Sequence, residues 1–139
     1  MTRSGVRTQP CSTVDARTRL GHARKFLEVA EMTAGEAGDL KYASAAAALA
    51  VLAGIAASDA ACCAALGRRS RGQDHQQATA LIEQVEPGGR KAGKALRRLL
   101  NLKDEAHYGF FDVGGQDLQA ALRQAKVLVD FAATAVERR

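Results

Sequence analysis

Residues 41–66 read KYASAAAALAVLAGIAASDAACCAAL, and this stretch decides the fold. Alanine is the best helix former, and only Gly54 weakens the helix that the stretch predicts. The helix would be apolar on every side, so it must be buried on every side or lie in a membrane. An ionised Asp59 inside a bilayer would cost a few kcal/mol. We therefore predict the central helix of a soluble bundle and no membrane span.

Small residues recur every four positions along this helix, at Ala46, Ala50, Gly54 and Ser58. They form a smooth stripe that a second helix can approach closely. That second helix could belong to the same chain or to a second copy in a homodimer, and the sequence favours neither.

The remaining sequence predicts helices and no sheet. The chain has 139 residues, which suits one domain, and no run of alternating β-branched residues occurs in it. We predict a mobile tail over residues 1–11 and one helical domain over residues 12–139. The class is all-α: an up-and-down bundle of four long helices and one short helix, because short connections force antiparallel neighbours. The predicted capping and stop residues are Ser12 or Thr13, Asp39, Gly67 and Asp74.

The three cysteines predict no disulfide framework. Cys62 and Cys63 are adjacent in a helix and point about 100° apart, so they suit buried positions better than a shared metal. We expect no metal site and no cofactor. The polar N-terminus has no signal-peptide pattern, which favours a cytoplasmic protein.

Positive charge is concentrated in one part of the chain. The net charge is +5, whereas residues 68–103 alone carry nine basic and three acidic side chains. This block is a candidate surface for anions. Its predicted anion-binding or nucleic-acid-binding residues are Arg68, Arg69, Arg71, His75, Arg90, Lys94 and Arg98.

A second group of residues suggests catalysis. Lys103 and His107 lie one helical turn apart, and Asp59 is the only charge inside the central helix. A cation that binds phosphate beside an imidazole that moves a 2′-hydroxyl proton would suit RNA cleavage. Alternatively, Asp59 pairs with Lys103, His107 or an arginine of the basic loop for structural reasons, and His107 caps a helix end. Phe110 and Phe111 are expected to tuck under the bundle.

The connection GRRSRGQDH (67–75) and the segment LLNLKDEAHYGFFDV (99–113) resemble HEPN domains, and the resemblance extends over about residues 18–131. It implies an all-α homodimer associated with RNA or nucleotides. Many members are metal-independent ribonucleases that act as toxins, and some pair with a nucleotidyltransferase-type antitoxin. Their catalytic motif is an arginine, four to six residues and a histidine. No arginine stands at that distance before His107, whereas Arg69 and His75 have the spacing at another place.

Three functions follow from these patterns. The first is a non-catalytic or divergent HEPN-like module that binds RNA, a nucleotide or a partner protein through its basic surface. The second is a ribonuclease toxin that uses His107 or His75 with a nearby cation. The third is a dimeric scaffold without nucleic-acid binding.

Overall fold

A computed structural model of the chain shows a mostly helical protein with one small two-stranded sheet. It describes residues 7–36, 38–71, 74–108 and 112–139, and for residues 103–108 the backbone alone. The predicted all-α class is confirmed, apart from the two short strands. The elements are β1 (Thr8–Pro10), α1 (Thr13–Ala34), α2 (Leu40–Leu66), β2 (Arg68–Ser70), α3 (His75–Ile82), α4 (Gly89–Tyr108) and α5 (Gly115–Glu137).

The helix ends lie where the capping residues predict them. Ser12 and Asp15 form a capping box, in which each side chain accepts a hydrogen bond from the other residue's backbone N–H. Asp39 begins α2 and Asp74 begins α3, each by accepting from the N–H two residues later. Gly67 ends α2 with φ of 70°, a left-handed conformation that favours glycine.

The alanine-rich helix α2 is the centre of the bundle and packs against α1, α4 and α5. The small-residue stripe is buried within the chain itself, since Ala46 and Ala50 are 0% exposed and Ser58 is 6% exposed. At Gly54 a Cβ would overlap the Leu99 side chain and lie 3.2 Å from Cδ1 of Leu128. The stripe is therefore where α4 and α5 approach α2.

Contacts at the two ends of α2 fix the directions of its neighbours. Ala16 of α1 and Val136 of α5 both pack against the α2 segment 63–64. At the other end, Ala34 of α1 and Leu118 of α5 pack against the segment 43–47. Hence α1 runs antiparallel to α2, and α5 runs parallel to it.

The direction of α4 follows from its two ends. The turn before α4 places Gly88 against Phe131, near the end of α5. After α4 the chain returns to the start of α2, where the Val113 N–H donates to Ser44 Oγ at 2.8 Å. Helix α4 therefore runs antiparallel to α2 and α5, and the four long helices alternate up and down as predicted.

By length and composition α2 could cross a membrane, with a mean hydropathy of 1.9 in its most apolar window. That window is 61% buried inside the fold. A core helix of a soluble bundle has this character because other helices replace the apolar surroundings that lipid would supply.

The segment predicted as a mobile tail contains a strand. β1 pairs antiparallel with β2, with Thr8 opposite Ser70 and Pro10 opposite Arg68. The Arg71 N–H donates to the Arg7 carbonyl oxygen at 2.9 Å and extends the pairing by one step. Residues 7–11 are thus docked on the connection between α2 and α3, which corrects the prediction for this part of the tail.

A disulfide fixes the end of this strand. It joins Cys11 to Cys63, 52 residues apart in sequence, with a Cα–Cα distance of 5.3 Å. Beside it the Cys11 N–H donates to the Gly67 carbonyl oxygen at 3.0 Å. The expectation that no cysteine pairs was wrong, whereas Cys62 is a buried free thiol. The predicted placement of Phe110 and Phe111 lies outside the described residues.

Candidate nucleic-acid interface

The β1–β2 pairing collects arginines from two distant segments. Arg7 precedes β1, Arg68 and Arg69 belong to β2, and Arg71 follows it. We call these four residues the arginine surface. Antiparallel pairing sets Arg7 beside Arg71 and Gln9 opposite Arg69, so Arg7, Arg69 and Arg71 lie on one face of the short ribbon. Arg68 lies on the opposite face, because successive side chains of a strand alternate.

Neutral partners hold two of these arginines in place. Arg68 Nη2 donates to Gln84 Oε1 at 3.1 Å, and Arg69 Nη2 donates to Gln9 Oε1 at 2.9 Å. Within the described parts of the chain, no ion pair involves any member of the arginine surface. Glutamine orients a guanidinium without neutralising it, so the positive charge of the surface stays available to an anion.

A cavity of about 420 Å³ lies beside the arginine surface, between α1, α2 and β1. Arg19, Arg69 and the disulfide form part of its wall, and Asp59 and Asp15 supply two carboxylates. Asp15 is already engaged in the capping box of α1. Arg69 therefore links the cavity to the arginine surface.

Asp59, predicted as a catalytic residue, pairs with Arg19. Its Oδ2 accepts a hydrogen bond from Arg19 Nε at 3.2 Å, and its side chain is 17% exposed. Burial raises the pKa of Asp59, and this effect outweighs the opposing charge and hydrogen bond of Arg19 and the weaker charge of Arg69. Arg19 lies on α1 and is none of the predicted partners, which were Lys103, His107 and the arginines of the basic loop.

The charged form of Asp59 therefore costs stability, and this cost is lost as the group takes up a proton in acid. A carboxyl group whose pKa is raised on folding binds its proton more tightly in the folded state, so it favours folding as the pH falls through that raised pKa. We expect the free energy of unfolding of wild type, relative to Asp59→Asn, to increase as the pH falls towards the ordinary pKa of aspartate. Urea titrations of both proteins at several pH values measure this. A constant difference, or one of opposite sign, contradicts it.

The structure does not bring Asp59 to the end of α4. Gly54 faces α4 through Leu99, and Asp59 is five residues further along α2, which rotates it by about 140° around the helix. The direction of α4 also takes Lys103 away from the level of Asp59. The side chains of Lys103 and His107 lie outside the described residues, so their predicted catalytic role stays a prediction.

His75 lies in a second cavity, of about 340 Å³, between α3 and α4. Arg97, Glu83 and Asn101 line the same cavity. The structure thus places a cation near His75, although Arg97 was not among the predicted site residues. Arg69, which has the family's spacing from His75, instead lines the first cavity.

The predicted basic stripe of α4 is exposed. Arg90, Lys94 and Arg98 follow one another at four-residue spacing on the outer face of the helix. Helix α3 contacts both β2 and α4. The predicted anion-binding arginines and lysine thus form two groups, one on or just after β2 and one on α4, and His75 begins the helix α3 that contacts both elements.

The free thiol of Cys62 is buried and unreactive. Burial raises its pKa to about 12, and the negative charge of Asp59 acts in the same direction. The thiolate is the reactive form of cysteine, so Cys62 stays a protonated core residue at neutral pH.

The chain matches no protein-family model and no curated protein. Its candidate functions therefore rest on its own geometry and on the resemblance of its sequence segments.

Proposed function

We propose that this chain is a non-catalytic helical module that binds the phosphate backbone of RNA through the arginine surface. The observation that carries the proposal is the convergence of four arginines from two segments more than 50 residues apart. Neutral glutamines orient two of them, and no described acidic side chain pairs with any of the four. An RNA backbone supplies the missing negative charge.

The side chains present suit phosphate better than bases. A guanidinium group binds phosphate oxygens in a bidentate manner, which a lysine cannot do. Aromatic residues make up only 4% of the chain, whereas single-strand readers of bases use aromatic stacking. The proposed binding is therefore electrostatic and largely independent of the RNA sequence.

The HEPN-like identity of the bundle, a homodimeric state, a nucleotidyltransferase-type partner and a cytoplasmic location belong to the same proposal. The alternating order of the helices and the segments GRRSRGQDH and LLNLKDEAHYGFFDV support the HEPN-like identity, and the homodimer and the partner are what that resemblance implies. In this reading α4 adds a second, weaker contact through Arg90, Lys94 and Arg98.

Two triple variants with the same loss of charge test the site. One replaces Arg68, Arg69 and Arg71 with glutamine, and the other replaces Arg90, Lys94 and Arg98. We expect the first to raise the Kd for a labelled oligouridine by about 100-fold at 0.1 M salt, since three phosphate contacts disappear. The second should raise it by less than about tenfold because its side chains are solvated and screened.

Fluorescence anisotropy measures both affinities, and circular dichroism checks that both variants remain helical. Equal weakening by the two variants would contradict the assignment to the arginine surface. Wild-type protein that binds no RNA at low salt would contradict the function.

His75 and Arg97 support a second candidate, a ribonuclease, because both line one cavity. RNA recovered from the binding reactions tests it directly. Cleavage that His75→Ala abolishes would favour the ribonuclease, and intact RNA would favour the binding module.

A further inference from the structure

The strand that completes the arginine surface has little apolar attachment to the bundle. Residues 7–11 are Arg, Thr, Gln, Pro and Cys, and Arg7, Gln9 and Pro10 are exposed. The strand is held by the short pairing with β2, by the Arg7 N–H donating to Gln77 Oε1 at 3.2 Å, and by the disulfide. A two-stranded ribbon this short is at best marginally stable in water without further support.

We propose that the Cys11–Cys63 disulfide is a reversible modification site: its reduction by a dithiol releases the N-terminal strand and takes the arginine surface apart. The effect on RNA rests on the function proposed above, whereas the release of the strand does not. Disulfides in a reducing cytoplasm are usually transient, catalytic or redox-sensing. A cytoplasmic chain with this bond would therefore exist in both states.

The two sulfurs are accessible to different degrees. Cys11 is half-buried, Cys63 is 3% exposed, and both line the cavity of about 420 Å³. A dithiol can therefore attack Cys11 Sγ from the cavity. Arg69 in the same wall favours the thiolates that form, because nearby positive charge lowers thiol pKa values. Arg19 contributes less because it pairs with Asp59, and the carboxylates of Asp59 and Asp15 in this wall act in the opposite direction.

The exchange consumes one dithiol and produces two protein thiols. One thiolate of the reductant bonds to Cys11 Sγ, the S–S bond breaks, and Cys63 leaves as a thiolate that takes a proton. The second thiolate of the reductant then attacks the reductant's first sulfur, which is bonded to Cys11 Sγ in the mixed disulfide. Cys11 leaves and is protonated, and the reductant becomes a cyclic disulfide. Buried Cys62 stays protonated and takes no part.

Reduction changes the arginine surface in two ways. Arg7 leaves with the strand, which removes one positive charge. Arg69 loses the hydrogen bond from its Nη2 to Gln9, so its guanidinium is no longer held towards the ligand. We expect the affinity for RNA to fall about fivefold or more at 0.1 M salt.

The test compares oxidised and dithiothreitol-reduced wild type by amide hydrogen exchange and by binding to labelled oligouridine. In the oxidised protein the amides of Cys11 and Arg71 are protected by the Gly67 and Arg7 carbonyl groups. We expect reduction to accelerate their exchange by about tenfold or more. Thiol titration after unfolding should give one thiol in the oxidised protein and three after reduction.

Two variants serve as controls. Cys11→Ser should resemble reduced wild type and should not respond to dithiothreitol, whereas Cys62→Ala should respond as wild type does. Unchanged exchange after complete reduction overturns the proposal, and so does faster exchange with unaltered affinity for RNA. If neither state binds RNA, the proposed function fails, and the exchange rates alone still decide whether the disulfide holds the strand.

Discussion

Ala57→Asp is expected to unfold the protein or to leave it marginally folded. Ala57 is 0% exposed in the middle of α2, and α2 packs against three other long helices. A carboxylate there would lose its water without gaining a partner, at a cost of at least about 4 kcal/mol. Native proteins are stable by only about 5–15 kcal/mol, so one such change removes much of the total. Thermal unfolding followed by circular dichroism measures the effect.

Ala45→Asp is the matched control for this experiment. Ala45 lies on the same helix, carries the same side chain and is exposed. We expect its free energy of unfolding to stay within about 0.5 kcal/mol of wild type, as for surface substitutions in general. If Ala57→Asp changed the free energy of unfolding as little as Ala45→Asp does, α2 would not be buried on the side of Ala57.

Loss of the disulfide is expected to have the second largest effect. Cys11→Ser opens a loop that the bond closes across 52 residues, and a loop of this size corresponds to about 4 kcal/mol in the chain-entropy account. We expect the free energy of unfolding to decrease by about 2–4 kcal/mol. The decrease should not exceed the entropy figure, because without the bond the short strand at Cys11 also frays in the folded state and regains part of its freedom. Urea titration of oxidised protein measures it.

Dithiothreitol provides the internal control for the disulfide. It should destabilise wild type to the level of Cys11→Ser and leave that variant unchanged. If reductant destabilises the variant as well, the effect has a cause other than this bond.

The helical part of the fold followed from the sequence because each signal is local. Apolar residues at spacings of four and three predict the inward face of α1, namely Ala16, Leu20, Ala23, Leu27, Ala30 and Ala34. The structure buries the first five and leaves Ala34 partly buried. Capping at Asp39 and Asp74 requires only a side chain and the next backbone amides. Such interactions do not depend on how the rest of the chain folds.

The β1–β2 ribbon could not be predicted in this way. Its strands have three residues each and lack the alternation of β-branched and aromatic side chains that indicates a sheet. They form because α2 ends at Gly67 and because Cys11 is tied to Cys63. With three cysteines, spacing alone does not reveal which two pair.

The partner of Asp59 was within reach of sequence reasoning. Arg19 and Asp59 each lie 20 residues from Asp39, which begins α2 after the turn that follows α1. Antiparallel helices joined by a short connection set such positions side by side. In the predicted α1–α2 pair, the residue of α1 that lies as far before Asp39 as Asp59 lies after it is Arg19.

The salt dependence of binding tests most directly whether the arginine surface binds RNA phosphates. For single strands, the slope of log K against log salt is about −0.7 per phosphate contact. Four arginines predict a slope of about −3 for oxidised wild type, and the variant that lacks Arg68, Arg69 and Arg71 should have a slope of about −1. The same slope for both proteins, or a wild-type slope near zero, would contradict the claim.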